Sequence, residues 1–134
     1  MVYASPHTMA FFPLRPAVRG HTLVTPRRHI SDVWAADRDT AHAVTDAVLL
    51  VAAAIRLALR PAGLNVITSA GAAAEQTVLH WHVHVLPRFP DDGFGPIWRD
   101  DQTEHTPAEL DNTAAMIRDA IVSGPTPPRS NQDR

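Results

Sequence analysis

The stretch "TVLHWHVHVLPR", Thr77 to Arg88, places three of the chain's eight histidines at alternating positions. Alternate residues of a β-strand point to the same face, about 6–7 Å apart along the strand. The pattern therefore predicts a strand with three imidazoles on one side and apolar core residues on the other. The three imidazoles are those of His80, His82 and His84. A metal site, a catalytic site and a solvated surface would each explain such a face.

Length and composition limit the classes of protein to consider. The 134 residues predict one domain, and a net charge of −2 does not favour binding to nucleic acid polymers or to acidic membranes. The chain has no cysteine, which excludes disulfides, thiolate catalysis and cysteine-bound zinc. The N-terminus lacks the pattern of a signal peptide, and the apolar run Ala47 to Ile55 is shorter than the roughly 20 residues of a membrane span. These features predict a soluble, cytoplasmic protein.

Periodicity and turn residues predict the other elements. A helix is expected from about Asp39 to Arg60, where apolar residues recur on one helical face. A second helix is expected after Thr106, with Pro107 at its first position and Glu109 completing a capping box. Residues 123–134 are polar and rich in proline, so we expect a disordered tail after a domain of residues 1–122. Besides the histidine stretch, the expected strands are "MVYAS", "TMAFFPL", "HTLVTP" and "LNVITSAG".

Two kinds of chemistry could use the histidine strand. Two histidines two apart can share a zinc ion if His21, His29 or Glu75 supplies a third ligand, although no second cluster of ligands stands at obvious spacing. Alternatively, a neutral imidazole can attack phosphorus if an acceptor holds the proton on its other ring nitrogen. That reaction needs hydrogen-bond donors around the phosphate oxygens, and neighbouring histidines can supply them.

The sequence resembles the histidine triad superfamily, whose signature is His-φ-His-φ-His-φ-φ, where φ is an apolar residue. "HWHVHVL", His80 to Leu86, matches it at each position. "GHTLVTPRRHISDV", Gly20 to Val33, and the longer block Gly63 to Arg88 resemble further segments of the family in the same order. The resemblance implies an α+β fold with an antiparallel sheet of about five strands, one long helix and a C-terminal helix. It also implies a homodimer.

The family resemblance implies an activity and roles for residues. Its members hydrolyse or transfer nucleoside monophosphates at the α-phosphate, without a metal or cofactor in the chemical step. By this match His82 is the nucleophile, His84 contacts the phosphate, His80 helps to hold the His82 tautomer, and His29 supports the triad. The resemblance assigns substrate contacts to Gln76, Thr77 and Ser69, and base-pocket positions to Phe11 and Leu14, which could equally be core residues. His21 matches a position of structural use.

Three departures from the family pattern affect the expected substrate. Pro13 stands where relatives carry an Asp or Asn that holds the ribose, Ser69 replaces an Asn, and Glu75 replaces a glycine. A substrate other than an ordinary dinucleoside polyphosphate is therefore expected. These departures also motivate an alternative function, a nucleotide-binding or sensor module with little turnover. A metal-dependent hydrolase that uses the same histidines is a third interpretation. Trp98 is a candidate for contact with the active site.

Overall fold

Five antiparallel strands form one sheet in the computed structural model, which describes residues 1–98 and 103–124. The spatial order is β1-β2-β3-β5-β4, so β1 and β4 are the edge strands. The predicted α+β fold is confirmed, including the number of strands and both helices. The strands are β1 (Tyr3–Ala4), β2 (Thr8–Phe11), β3 (Thr22–Pro26), β4 (Gly63–Ile67) and β5 (Val83–Arg88).

The long helix α1 (Arg38–Leu59) covers one face of the sheet. Its N-terminus is capped by Asp37, whose carboxylate accepts a hydrogen bond from the main-chain N–H of Thr40. The apolar periodicity of the sequence produces a buried stripe that packs on β2, β3 and β5. The buried stripe consists of Val44, Ala47, Val48, Val51 and Ile55.

By length and composition, α1 could also cross a membrane, because Val44, Leu57 and Leu59 extend its apolar character beyond the run Ala47 to Ile55. Its buried stripe nevertheless makes the contacts of a core helix. The core joins this stripe to side chains of three strands and to Trp81. The strand residues are Ala10, Val24, Val83 and Val85.

Strand register separates the two faces of the sheet. Val24 of β3 pairs with Ala10 on one side and Val83 on the other, and this row faces α1. The next row crosses the sheet on the opposite face, because neighbouring residues of a strand point to opposite sides. It contains Phe11, Leu23, His84 and Ile67, one from each of four adjacent strands. The register thus places His84 on the face away from α1.

The described residues divide into two compact units, residues 1–94 and the described part of residues 95–127. The second unit contains α2 (Pro107–Ser123), and Thr106 and Glu109 form the predicted capping box at its start. Apolar side chains of α2 such as Met116 and Ile121 are exposed. The expected domain of residues 1–122 stays a prediction, and the expected tail lies outside the described residues from residue 125 onward.

Candidate active site

The histidine stretch is shorter as a strand than the sequence predicted. β5 begins at Val83, so only His84 lies within it, and His80 and His82 belong to the extended segment before it. The reason is that threonine hydroxyls replace main-chain partners on both sides of this segment. Thr25 donates to the carbonyl of Trp81, at 2.8 Å, and Thr68 donates to the carbonyl of His82, at 2.9 Å.

Burial still alternates along this segment, as a strand pattern predicts. Trp81, Val83 and Val85 are buried, whereas the three histidines that alternate with them are half-buried. The indole of Trp81 donates from Nε1 to the hydroxyl of Thr68, at 3.0 Å, and its main-chain N–H donates to the carbonyl of Ile30, at 2.6 Å. These bonds fix the backbone that carries His80 and His82.

His82 has the hydrogen bond that a nucleophilic imidazole needs. Its Nδ1 lies 2.7 Å from the carbonyl oxygen of His80. A carbonyl only accepts, so Nδ1 carries the proton and the neutral ring has its lone pair on Nε2. The main chain of His80, rather than its imidazole, holds this tautomer.

His84 contacts two other imidazoles. Its ring centroid lies 5.0 Å from that of His82 and 5.1 Å from that of His21, and its Nδ1 lies 2.9 Å from Nε2 of His21. Burial lowers the pKa of His84 to about 4, with further contributions from the neighbouring charges of His82 and His21. His84 is therefore neutral at pH 7. Burial also lowers the pKa of His21.

His21 is the residue that the sequence reasoning underestimated. It was interpreted as a structural residue at the start of a strand, yet it bonds directly to a triad histidine. The contact requires the strand register, which the sequence alone does not give: His21 stands two residues before Leu23, the residue that pairs with His84. Residues two apart share a face, so His21 and His84 were bound to meet once β3 and β5 were paired.

His80 and His29 form a second pair behind the triad. Nε2 of His80 donates to the carbonyl of Pro26, at 2.8 Å, and Nε2 of His29 donates to the carbonyl of Leu79, at 2.9 Å. Their rings meet edge to face with centroids 5.3 Å apart. The ring of His80 thus connects the segment before β5 to the end of β3, and the ring of His29 connects it to the loop after β3. Both histidines position the backbone around His82 in this arrangement.

The predicted substrate contacts lie in different surroundings. Gln76 is buried, and both ends of its side-chain amide form hydrogen bonds inside the protein. Oε1 accepts from the N–H of Gly71, at 2.9 Å. Nε2 donates to the carbonyls of Ser31, at 2.7 Å, and Val78, at 3.0 Å. Its predicted contact with substrate stays a prediction. Its observed hydrogen bonds hold two loops together. Thr77 is exposed and Ser69 is half-buried.

Phe11 and Leu14 were predicted to line a base pocket or to belong to the core. Phe11 is half-buried on the same face as His84, with Leu23 between them in the same row. Leu14 is 104% exposed, so the core interpretation is wrong for this residue. Leu23 and Ile67 were not singled out in the sequence, but they flank His84 directly and give this face an apolar floor.

The residues named as third metal ligands do not assemble a metal site in the structure. Among residues 1–98 and 103–124 there is no cluster of three or more His, Asp or Glu side chains arranged to hold a metal ion. His21 and His29 direct Nε2 to His84 and to a carbonyl, respectively, and Glu75 is exposed. The geometry is that of an imidazole network bound to main-chain carbonyls.

Comparison with known proteins agrees with this geometry. The protein-family model of the HIT domain matches residues 1–91 of this sequence. The chain belongs to the HIT family. It is 36% identical over 123 residues to Protein hit of Bacillus subtilis, a match that covers 91% of this chain and 85% of the relative.

Solved structures of HIT proteins share this fold. The crystal structure of a HIT family protein from Bacillus anthracis gives a TM-score of 0.80 at 37% identity and covers 89% of this chain and 85% of that one. The hypothetical histidine triad nucleotide-binding protein from Sulfolobus tokodaii gives a TM-score of 0.64 at 30% identity and covers 90% and 82%. These matches extend beyond the triad into the second unit.

Proposed function

We propose that this HIT protein is a nucleotidyl hydrolase or transferase that acts through a covalent intermediate on His82. The observation that carries the proposal is the bond from His82 Nδ1 to the carbonyl of His80, which leaves Nε2 as a free nucleophile. The histidine triad structure described as nucleotide-binding supports a nucleotide substrate. Phosphoramidates and dinucleoside polyphosphates are the substrate classes to test.

The proposed chemistry has two steps. Nε2 of His82 attacks the α-phosphorus, and the bond from phosphorus to the leaving group breaks with its electron pair on the leaving group, which takes a proton from water. Water or the hydroxyl group of another acceptor then attacks the same phosphorus and releases its proton to the solvent, where it neutralises the hydroxide formed in the first step. The bond from phosphorus to Nε2 breaks with its electron pair on the nitrogen, which restores neutral His82. Neutral His84 acts as a hydrogen-bond donor to a phosphoryl oxygen rather than as a proton source.

The apolar residues beside His84 favour a planar base on this face of the sheet. Phe11, Leu23 and Ile67 form the floor on which a base would lie. Thr77 is exposed and can reach a phosphate or leaving group, as can Ser69. Because Pro13 offers no side-chain acceptor, recognition of the ribose must differ from that implied by the family pattern, which has Asp or Asn there.

A homodimer is part of the proposal. The outer face of α1 exposes Leu49, Leu50 and Leu57, and the edge strand β4 exposes Leu64 and Val66 on the α1 side of the sheet. An exposed apolar surface of this kind is typically covered by a partner, and a second copy of the chain would bury it. A cytoplasmic location and a small-molecule partner, rather than a nucleic acid polymer or a membrane, belong to the same proposal.

A nucleotide-binding or sensor module with little turnover is the second candidate. Glu75 next to Gln76 favours it, because an exposed carboxylate beside the phosphate position would repel an anionic substrate. Binding of AMP or GMP without release of product from any substrate would identify such a module. A metal-dependent hydrolase would instead lose its activity to EDTA.

The test is release of AMP and GMP from their phosphoramidates and from dinucleoside polyphosphates, with EDTA present. His82→Asn is compared with the wild type, and His42→Asn, an exposed histidine of α1, is the matched control. Turnover that survives EDTA and His42→Asn but is lost in His82→Asn supports the proposal. Turnover that is retained in His82→Asn would contradict it.

A further inference from the structure

The loop before β3 makes one hydrogen bond that reaches the triad. The main-chain N–H of Ala17 donates to Nδ1 of His21, at 3.1 Å, and Nε2 of His21 lies 2.9 Å from Nδ1 of His84. Two residues of the loop, Ala17 and His21, are thereby joined to His84 of β5 in one chain of hydrogen bonds. The loop spans residues 12–21, and Ala17 itself is exposed.

The direction of each bond in this chain follows from its first donor. A main-chain N–H can only donate, so Nδ1 of His21 must be without a proton. Neutral His21 then carries its proton on Nε2 and donates to Nδ1 of His84. Neutral His84 must in turn carry its proton on Nε2, the ring nitrogen that is not used in this chain.

We propose that the main-chain amide of Ala17 is a positioning group that assigns the tautomers of His21 and His84, so that His84 presents an N–H to the substrate. His82 has the opposite assignment, because the carbonyl of His80 keeps the proton on Nδ1 and leaves Nε2 bare. Two adjacent imidazoles thus present opposite groups, an attacking lone pair on His82 and a donor on His84. A carbonyl sets the first and an amide sets the second.

Burial supports the neutral forms that this assignment requires. It lowers the pKa of both His21 and His84, so the two rings meet as neutral groups at pH 7. If the hydrogen bonds ran in the opposite direction, Nδ1 of His21 would carry a proton. The Ala17 amide would then face another N–H and would have no acceptor. Loss of one such hydrogen bond corresponds to a bias of about tenfold between the tautomers.

The loop is held where this bond requires it. Val18 is buried, and its carbonyl accepts from the N–H of His21, at 3.1 Å. Gly20 has φ +83°, and a Cβ there would lie 2.5 Å from Cδ1 of Leu59 and 3.1 Å from Cγ of Pro87. Another residue would be strained at this φ and would require the side chains of Leu59 and Pro87 to shift, so the end of the loop packs closely against α1 and β5.

The direct test is NMR of the ring nitrogens of His21 and His84 in the full chain, without substrate, at pH 7. We expect a bare Nδ1 and a protonated Nε2 on both rings. A protonated Nδ1 on either ring would overturn the proposal. This measurement does not depend on turnover, so it stands or fails separately from the proposed function.

Removal of the amide tests the cause. Ala17→Pro deletes the N–H, and replacement of Ala17 by its α-hydroxy analogue deletes it without restricting φ, which serves if the proline variant fails to fold. Ala17→Ser keeps the N–H and is the control. We expect mixed tautomers on His21 and His84 only where the N–H is deleted, with unchanged signals from core residues. Unchanged tautomers in a folded variant that lacks the N–H would refute the role of Ala17.

The consequence for catalysis rests on the proposed function. If His82 attacks phosphorus, the variants without the Ala17 N–H should lose about twofold in kcat, since roughly half of the protein would present a bare Nε2 on His84 once the tenfold bias is removed. Changed tautomers with unchanged kcat would contradict the catalytic use of the His84 donor. Activity absent from the wild type on every substrate would count against the proposed function alone.

Discussion

Nδ1 of His82 lies 2.7 Å from the main-chain carbonyl of His80, so the first and second histidines of the triad are coupled through the backbone. The imidazole of His80 points elsewhere and donates to the carbonyl of Pro26. The alternation that puts both histidines in the same segment therefore serves two purposes. One residue supplies the carbonyl that sets the tautomer, and the other supplies the ring that the carbonyl orients.

We predict that His82→Asn lowers kcat by about a thousandfold or more while the fold is retained, because the amide cannot form the phosphorus–nitrogen bond of the intermediate. Steady-state turnover and circular dichroism measure the two effects. His42→Asn should leave both unchanged. A loss of less than about tenfold would argue against a nucleophilic His82.

His84 should make the stability of the protein depend on pH. Its pKa is about 4 in the folded state against 6.5 for an unperturbed histidine, so the unfolded chain binds more protons between these values. The contribution of His84 to stability is complete above pH 6.5 and is lost as the pH falls toward about 4. Urea unfolding at pH 7 and pH 5 should show the loss, and His84→Gln should reduce it. An equal pH dependence in the variant would contradict the assignment.

Replacement of Gln76 should lower the free energy of unfolding, because its side chain forms hydrogen bonds inside the protein. Gln76→Ala leaves the N–H of Gly71 and the carbonyls of Ser31 and Val78 without this partner, and we expect a loss of about 2–3 kcal/mol in the free energy of unfolding. The control is Glu75→Gln, one residue away and exposed. Unchanged stability with a raised KM would instead support the contact with substrate that the sequence predicted.

Glu75 should be replaceable by glycine, the residue that the family resemblance gives for this position. Its φ of +63° lies in the left-handed region that favours glycine, so Glu75→Gly is expected to stabilise the protein by about 0.5–1 kcal/mol. Removal of the carboxylate should also lower KM for an anionic substrate. Thermal unfolding and steady-state kinetics measure these changes. The matched control is Ala74→Gly in the adjacent 3₁₀ turn, which should not stabilise the chain.

The exposed face of α1 should carry the contact between two copies. Leu49→Glu and Leu57→Glu are expected to convert a dimer into a monomer with little loss of monomer stability, because both leucines are exposed in the single chain. Analytical ultracentrifugation measures the mass. Leu14→Glu, at an exposed leucine outside α1, is the control. A monomeric wild type would contradict the proposed dimer.

The sequence by itself determined where most helices and strands lie, and it indicated a candidate site built from histidines. Alternation around His82 and the helical periodicity of residues 39–60 depend on neighbours along the chain, and local patterns report them directly. The capping box at Thr106 is equally local. The family resemblance then indicated the α+β fold and the candidate nucleophile from residues that the chain itself displays.

Only the tertiary structure decided which groups bond to the triad. The contacts of His84 with His21, of His80 with Pro26 and of Gln76 with Ser31 join residues 63, 54 and 45 positions apart. Such contacts depend on strand register and loop path, and no local pattern encodes them. A tautomer is fixed by its hydrogen-bond partner. The tautomer of His82 follows from a local bond to the carbonyl of His80, two residues away, whereas the tautomer proposed for His84 depends on its contact with His21, 63 positions away.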